Sequence, residues 1–279
     1  CWSGDAYRRR PRESHDPPPL LFAPGALTAD ADGAGAVVGS RAASSYGRRM
    51  ARRLASAIAA HGVTVVSGLG RGTGAVAHAA ALEAGGRTIA VLGSGVDVIY
   101  PGEHRQLASA IAAGGAIVSE LPMGAPPDAE NFPSRNRLIS GLSRGIVVVE
   151  AAERSGSLIT AHVALDQGRD VFAVPGPVGA ATAGTHRLLR EGAKLTECAG
   201  DVLEEGCPRA LAPSAARSSF RPTPAEQKVL AAIGRETVHV DTVMLRSGLP
   251  ANEALPLLLG LELKGVVEQL PGKFFSVRG

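Results

Sequence analysis

Short apolar runs recur at 36–38, 63–66, 88–92, 116–118, 146–149 and 171–174, and they constrain the fold of this chain more than any other feature. A strand with one wet face alternates apolar and polar residues. These runs do not alternate, so both of their faces must be covered. Segments of helical length separate them, at 47–60, 74–84 and about 103–113, then from about Pro133 after a central loop, and near 158–167. Strands joined through helices lie parallel in one sheet. The pattern predicts an α/β fold over residues 20–205, with a doubly wound, Rossmann-like and mostly parallel sheet.

In such sheets ligands bind beyond the carboxyl ends of the strands, so the residues after each run carry the functional information. The first run leads to Gly39-Ser40-Arg41. The second leads to Ser67-Gly68-Leu69-Gly70-Arg71-Gly72-Thr73-Gly74. The third leads to Gly93-Ser94-Gly95, with Tyr100-Pro101 close behind. The fourth leads to Ser119-Glu120 and a Pro-rich loop. The fifth leads to Glu150 and Arg154-Ser155-Gly156-Ser157, and the sixth to Pro175-Gly176. Small residues let a backbone come close, their N–H groups bind anions, and the arginines add charge. One Gly-rich turn says little. Their repetition along one edge predicts an extended phosphate-binding rim.

The stretch Asn131–Gly141 is central to that rim. Phe132 is one of only six Phe and sits in a polar loop, and Pro133 suits the first turn of a helix. Arg135 and Arg137 flank Asn136 near the positive end of that helix, where anions bind. Capped, solvated arginines on a surface helix are the alternative.

Charge and composition narrow the partner. The net charge is +3, yet residues 36–205 carry sixteen basic and fifteen acidic side chains, so a basic patch there must be made by placement. Aromatic residues are 4%, so any stacking surface is small. Cys1, Cys198 and Cys207 show neither metal nor disulfide spacing, which points to a reducing, cytoplasmic setting. No apolar run reaches the ~18 residues of a membrane span. Neither a dinucleotide-binding Gly-x-Gly-x-x-Gly opening the first helix nor a Walker loop is present, so no cofactor and no metal are expected. Glu120, Glu150 and His78 could serve as acid or base. Their structural alternatives are that Glu150 holds Arg135 or Arg137 and that His78 packs or caps.

Residues 1–19 are Arg- and Pro-rich and read as an extended or disordered segment, and the Ser/Ala/Pro-rich residues 206–222 read as a linker. From Thr223 the pattern changes. Thr223 and Glu226 fit a capping box with Pro224 at the first helical position. A short strand at 238–240, helices at 242–247 and 251–264 and a hairpin at 266–277 then describe a winged helix domain over 223–279. Its reading helix holds Glu253 and Glu262 beside Asn252 and Lys264, a poor major-groove reader, and Pro256 would kink it.

The strand-end motifs, taken in order, resemble the DNA-processing protein A (DprA, or Smf) family over most of residues 17–205 and, more weakly, through the tail. The resemblance rests on Gly39-Ser40-Arg41, Ser67 to Gly72, Gly93-Ser94-Gly95, Tyr100-Pro101, Phe132 to Leu142, Ser155 to Ala161 and Val174-Pro175-Gly176. Departures occur at Gly70, Thr73-Gly74 and His186, where the family usually carries Ala, Ile-Asp and Asn. The family's N-terminal helical domain has no counterpart here, in keeping with a first residue that is not Met.

The resemblance implies a DNA-binding protein and not an enzyme. It implies single-stranded DNA as ligand, displacement of single-strand binding protein, loading of the RecA recombinase, a role in natural transformation and a homodimer. Carried onto this chain, Arg41, Arg71, Arg135, Arg137 and Lys194 would hold phosphates, and Phe132 would stack a base. Gly39, Ser40, Ser67, Gly68, Gly72, Asn136, Ser155, Gly156, Ser157 and Thr160 complete the expected DNA-binding set. The main rivals are a phosphoribohydrolase of the Lonely-Guy type, whose Pro-Gly-Gly-x-Gly-Thr motif is absent, and a winged-helix regulator with a ligand-sensing core.

Overall fold

A computed structural model describes residues 16–25, 34–206, 222–234, 237–263, 266–270 and 272–277. Most of the N-terminal segment and of the linker expected above lies outside these residues. The chain divides into two compact units, Cys1–Ala216 and Arg217–Gly279.

In the larger unit β1 (Gly35–Val38), β2 (Val65–Gly68), β3 (Thr88–Val91), β4 (Ala116–Val118), β5 (Gly145–Val148), β6 (Asp170–Ala173) and β7 (Lys194–Leu195) form one parallel sheet of order β4-β3-β2-β1-β5-β6-β7. The helices between them are α1 (Ser45–Ala60), α2 (Thr73–Glu83), α3 (Arg105–Gly114), α4 (Asn131–Gly141), α5 (Gly156–Asp166) and α6 (Ala183–Arg190), with α7 (Ala199–Gly206) after the last strand. Strand side chains alternate between two fully covered faces. Val37, Val65 and Val147 join α1, α2 and α7 in one core, while Val38, Val66, Ile146 and Val148 join α4 and α5 in the other. This is why the strands read as unbroken apolar runs.

β7 was not expected. Two residues are too few to make a pattern, and they pair only with Phe172 and Ala173 of β6. At the opposite edge, residues 22–25 run antiparallel to β4. Phe22 and Ser119 exchange both backbone bonds at 2.8 and 3.0 Å, and the Ile117 N–H donates to the Pro24 carbonyl at 3.0 Å. That segment covers an edge that would otherwise expose unpaired backbone. The strand order reverses between β1 and β5, which places a crevice beyond their carboxyl ends.

The smaller unit holds α8 (Pro224–Ile233), β8 (Val238–His239), α9 (Val240–Ser247), α10 (Ala251–Leu263), β9 (Val267–Leu270) and β10 (Phe274–Val277). The Thr223–Glu226 capping box forms, with bonds of 2.8 and 3.3 Å, and α9 stops at Gly248 in the left-handed region at φ 69°. A sheet of order β8-β10-β9 completes a winged helix. α10 continues through Pro256, and its exposed face shows Asn252, Glu253, Leu255 and Leu259.

Candidate nucleic-acid interface

The carboxyl-end loops of β1 to β5 converge, and close backbone approach holds them together. Gly72 precedes α2 at φ 73°, and a Cβ there would lie 2.4 Å from the Ser40 carbonyl oxygen. The Thr73 N–H donates to that same oxygen at 3.1 Å, which ties the second loop to the first. Gly93 lies under the Phe132 ring, whose edge would be 3.1 Å from an added Cβ. Gly68 lies under the Arg135 guanidinium, 2.6 Å from such a Cβ. These glycines are spaces into which a ring and a guanidinium are pressed.

Phe132 is half-buried at the start of α4 and is the centre of a cluster. The Arg41 guanidinium stacks 4.6 Å from its centroid, Arg135 lies at 5.7 Å, and the Tyr100 ring stands at 6.0 Å, tilted by 50°. Tyr100 is 48% exposed. Its place in the cluster was not foreseen, although its position after β3 was a sufficient signal.

The arginines fall into two classes. Arg71 and Arg137 are paired. Arg71 makes a two-pronged pair with Glu103, at 2.9 and 2.8 Å, that raises the pKa of the arginine and lowers that of the acid, mainly through the hydrogen bond itself. Arg137 is held by Glu120 and by Asp16, the latter at 3.2 Å. Arg41 and Arg135 have no carboxylate within ion-pair distance among the described residues. Arg135 is also buried, at 8% exposure, and its one bond is donated to the Val91 carbonyl. Burial, and then the neighbouring Arg41 charge, lower its pKa to about 10. It remains charged at neutral pH: a buried cation next to a like charge.

Several expected residues are committed elsewhere. The Ser40 N–H already donates to the Glu150 carbonyl at 2.7 Å, and the buried Ser67 hydroxyl donates to the Val37 carbonyl at 2.6 Å. Thr160 and Ser157 are buried one turn into and at the start of α5, behind Ser155, which caps that helix. Asn136 is buried and donates to the Gly156 carbonyl at 3.4 Å, while Gly156 faces open space. Lys194 turns away from the rim. Its ammonium meets Asp170 at 2.9 Å, and Asp170 starts β6 at the opposite edge of the sheet. The phosphate role expected for Lys194 is therefore not supported by its placement, because β7 begins at that residue and its side chain folds back along β6.

Glu150 and His78 are committed within the fold as well. Glu150 holds neither Arg135 nor Arg137. Its carboxylate accepts from the Ser44 N–H, at 3.0 Å, and from the Ser44 hydroxyl at the start of α1. His78 is fully buried, bonded to the Thr88 hydroxyl at 2.7 Å, and its pKa falls to about 3, first through desolvation. A Gly-x-Ser-x-Gly string at 141–145 precedes β5 rather than following it. Its Ser143 is buried, with the hydroxyl on the Ile139 carbonyl at 2.8 Å, and is no nucleophile elbow. Among the described residues no cluster of three or more His, Cys, Asp or Glu could hold a metal, and no helix is long and apolar enough to cross a membrane.

The chain is similar to known proteins in sequence and fold. The chain matches the family model of DNA recombination-mediator protein A over residues 1–206 and that of the DprA winged helix domain over residues 213–273. It is 47% identical over 273 residues to Protein Smf of Escherichia coli, covering 94% of this chain and 73% of that one. It is similar to the X-ray structure of DNA processing protein A from Streptococcus pneumoniae, with a TM-score of 0.69, 43% identity and coverage of 72% and 71%. It is similar also to a structure describing the single-stranded DNA binding mode of DNA processing protein A from Helicobacter pylori. There the TM-score is 0.65 and the identity 28%, over 71% of this chain and 91% of that one.

Proposed function

The chain belongs to the DNA recombination-mediator protein A (DprA, Smf) family, and we propose from that premise that it binds single-stranded DNA along the rim beyond β1 to β5. The observation that carries the reading is Arg135. A buried guanidinium without a carboxylate is costly to keep, and costlier beside Arg41. Phosphate is the partner that would offset that cost. Phe132, covered on one side by Arg41 and flanked by Tyr100, gives bases a stacking surface beside those charges. A duplex hides its base faces, whereas a single strand offers phosphates and bases together.

In this reading residues 20–205 form the strand-binding domain, and Arg41, Arg135 and Phe132 hold the strand, with Gly156, which faces open space, letting it come close, while Gly39, Gly68 and Gly72 let the loops that carry these side chains pack together. Arg71 and Arg137 join when a phosphate displaces their acids. Residues 223–279 serve protein contacts. The strand is held by a homodimer in the cytoplasm, protected as single-strand binding protein is displaced, and passed to the RecA recombinase during natural transformation. No acid–base step is assigned.

Fluorescence anisotropy with a labelled oligo-dT at two salt concentrations tests this. We expect binding that weakens steeply with salt and a large loss in Arg41→Ala. Absence of binding, or binding indifferent to Arg41→Ala, would remove the single strand from this rim.

A further inference from the structure

Helix α1 starts four residues beyond Arg41 and carries Arg48, Arg49, Arg52 and Arg53, all exposed, on the side opposite its buried face of Gly47, Ala51, Leu54, Ala55 and Ile58. No acidic residue occurs anywhere in α1. Arg48 with Arg52, and Arg49 with Arg53, are like charges spaced i, i+4, which repel on an isolated helix. The arginines also lie towards the positive end of the helix, and its last turn has no basic residue. Local helix stability thus argues against this pattern.

Partners within the fold account for only part of it. Arg52 pairs with Glu83. Arg48 donates through Nε to the Ala43 carbonyl at 3.2 Å, and Arg49 lies 6.0 Å from the Tyr46 ring. Neither of these two, nor Arg53, has a carboxylate within ion-pair distance among the described residues. The acid nearest the start of α1, Glu150, is buried and bound to Ser44.

We propose that Arg48, Arg49 and Arg53 continue the rim, and that the same single strand leaves Arg41 and runs down α1 with its flanking phosphates on these guanidiniums. The proposal rests on the single-strand reading above and adds a second track to it. Its argument is continuity, from Arg41 through the helix start, and charge complementarity: Arg48 and Arg49 side by side, and Arg53 about 6 Å further along the axis than Arg49, facing a polyanion. Contacts of this kind carry no sequence preference, and each one adds to the salt dependence.

The test compares a short oligo-dT of about six nucleotides with a long one of about twenty, on the intact chain and on the double variant Arg49→Ala/Arg53→Ala. Both substitutions put a strong helix former on an exposed face, so folding is preserved. For the intact chain the long strand binds more tightly and with the steeper salt slope. In the double variant that advantage shrinks, and the long-strand slope of log K against log salt falls by about 1.4, or ~0.7 for each lost phosphate contact. An unchanged slope and an unchanged long-to-short ratio would overturn the second track while leaving the rim in place. With a duplex of the long strand's length as a third probe, reduced duplex affinity in the double variant with single-strand affinity intact would overturn it in favour of a duplex. Failure of the intact chain to bind either strand would overturn both readings, and the short strand alone distinguishes that result from the first.

Discussion

Replacing Arg135 with methionine should separate stability from binding. The guanidinium is buried, unpaired and lowered in pKa to about 10. At about 1.4 kcal/mol per pH unit, that displacement puts the cost of keeping the charge in the folded chain on the order of 3 kcal/mol. Methionine keeps most of the volume over Gly68 and removes that cost. It also removes the bond to the Val91 carbonyl, and an acceptor left without its partner costs about 1–3 kcal/mol. The two nearly cancel, so the unfolding free energy should stay within about 2 kcal/mol of the parent. Breaking a paired buried ion instead costs about 3–5 kcal/mol. Binding should not be spared, because a hydrogen bond to a charged group is worth about 1.5–3 kcal/mol, a loss of roughly tenfold to more than a hundredfold. Urea denaturation followed by circular dichroism reads the first quantity and anisotropy with oligo-dT the second. A saturating oligonucleotide should then stabilise the parent, by about 2.7 kcal/mol at a hundredfold excess over Kd, and the variant far less. A variant destabilised by more than about 3 kcal/mol that still binds normally would show Arg135 to be an internal strut and refute the reasoning.

Four further outcomes follow from the same geometry. Phe132→Leu keeps the packing on Gly93 but loses the aromatic face, and should weaken oligo-dT binding by about 1–3 kcal/mol, as read by anisotropy; unchanged affinity would place the bases elsewhere. Glu103→Gln releases Arg71 and should raise affinity severalfold at low salt and little at high salt, since both groups are exposed; no gain at low salt would mean that Arg71 lies off the strand's path. His78 has a folded pKa of about 3 against an ordinary value near 6.5, so its contribution is intact above pH 6.5 and is lost as pH falls towards 3. Urea midpoints should show a loss on the order of 2 kcal/mol from this group between pH 7 and pH 5, absent in His78→Asn; equal pH dependence in the two proteins would contradict its buried, neutral state. Deleting residues 223–279 should leave strand affinity within a few fold, because the exposed face of α10 offers Glu253 and two leucines rather than basic groups; a large loss would give the winged unit a share in holding DNA.

The sheet was legible because its strands are buried on both faces, which leaves unbroken apolar runs in the sequence. α4 contains its proline and both arginines as expected, but it begins at Asn131, so Phe132 lies in its first turn and not in the preceding loop. Pairing was not legible. Arg71 meets Glu103, and Glu150 meets Ser44, across 32 and 106 residues, and neither separation leaves a local trace. Spacing alone separates the two arginines of α4: Arg135 and Arg137 are two residues apart on a helix, so they point to nearly opposite sides, and Arg137 meets Glu120 and Asp16 instead of Phe132. Arg135 lies three residues from Phe132 and shares its side, which is the contact found. The same geometry separates Ser155, at the cap of α5, from Thr160, which is buried inside.

The two classes of arginine also bear on how a strand would be gripped. If all four were free, the rim would carry an uncompensated charge cluster that destabilises the fold and binds any anion. If all four were paired, each phosphate would have to displace a carboxylate, and little net attraction would remain. The chain has both kinds. Arg41 and Arg135 lie without a carboxylate partner among the described residues, beside the aromatic pair Phe132 and Tyr100. Arg71 and Arg137 lie outside them, each with an acid already in place. A mononucleotide could satisfy the centre, but only a strand long enough to reach the flanks would displace Glu103 and Glu120 as well. Each such exchange is close to neutral in energy, because one anion replaces another. Affinity would therefore grow with strand length through many small increments rather than through one tight pocket. Under the proposed function the released carboxylates would also set a ceiling on binding at the flanks, so that a held strand could be given up.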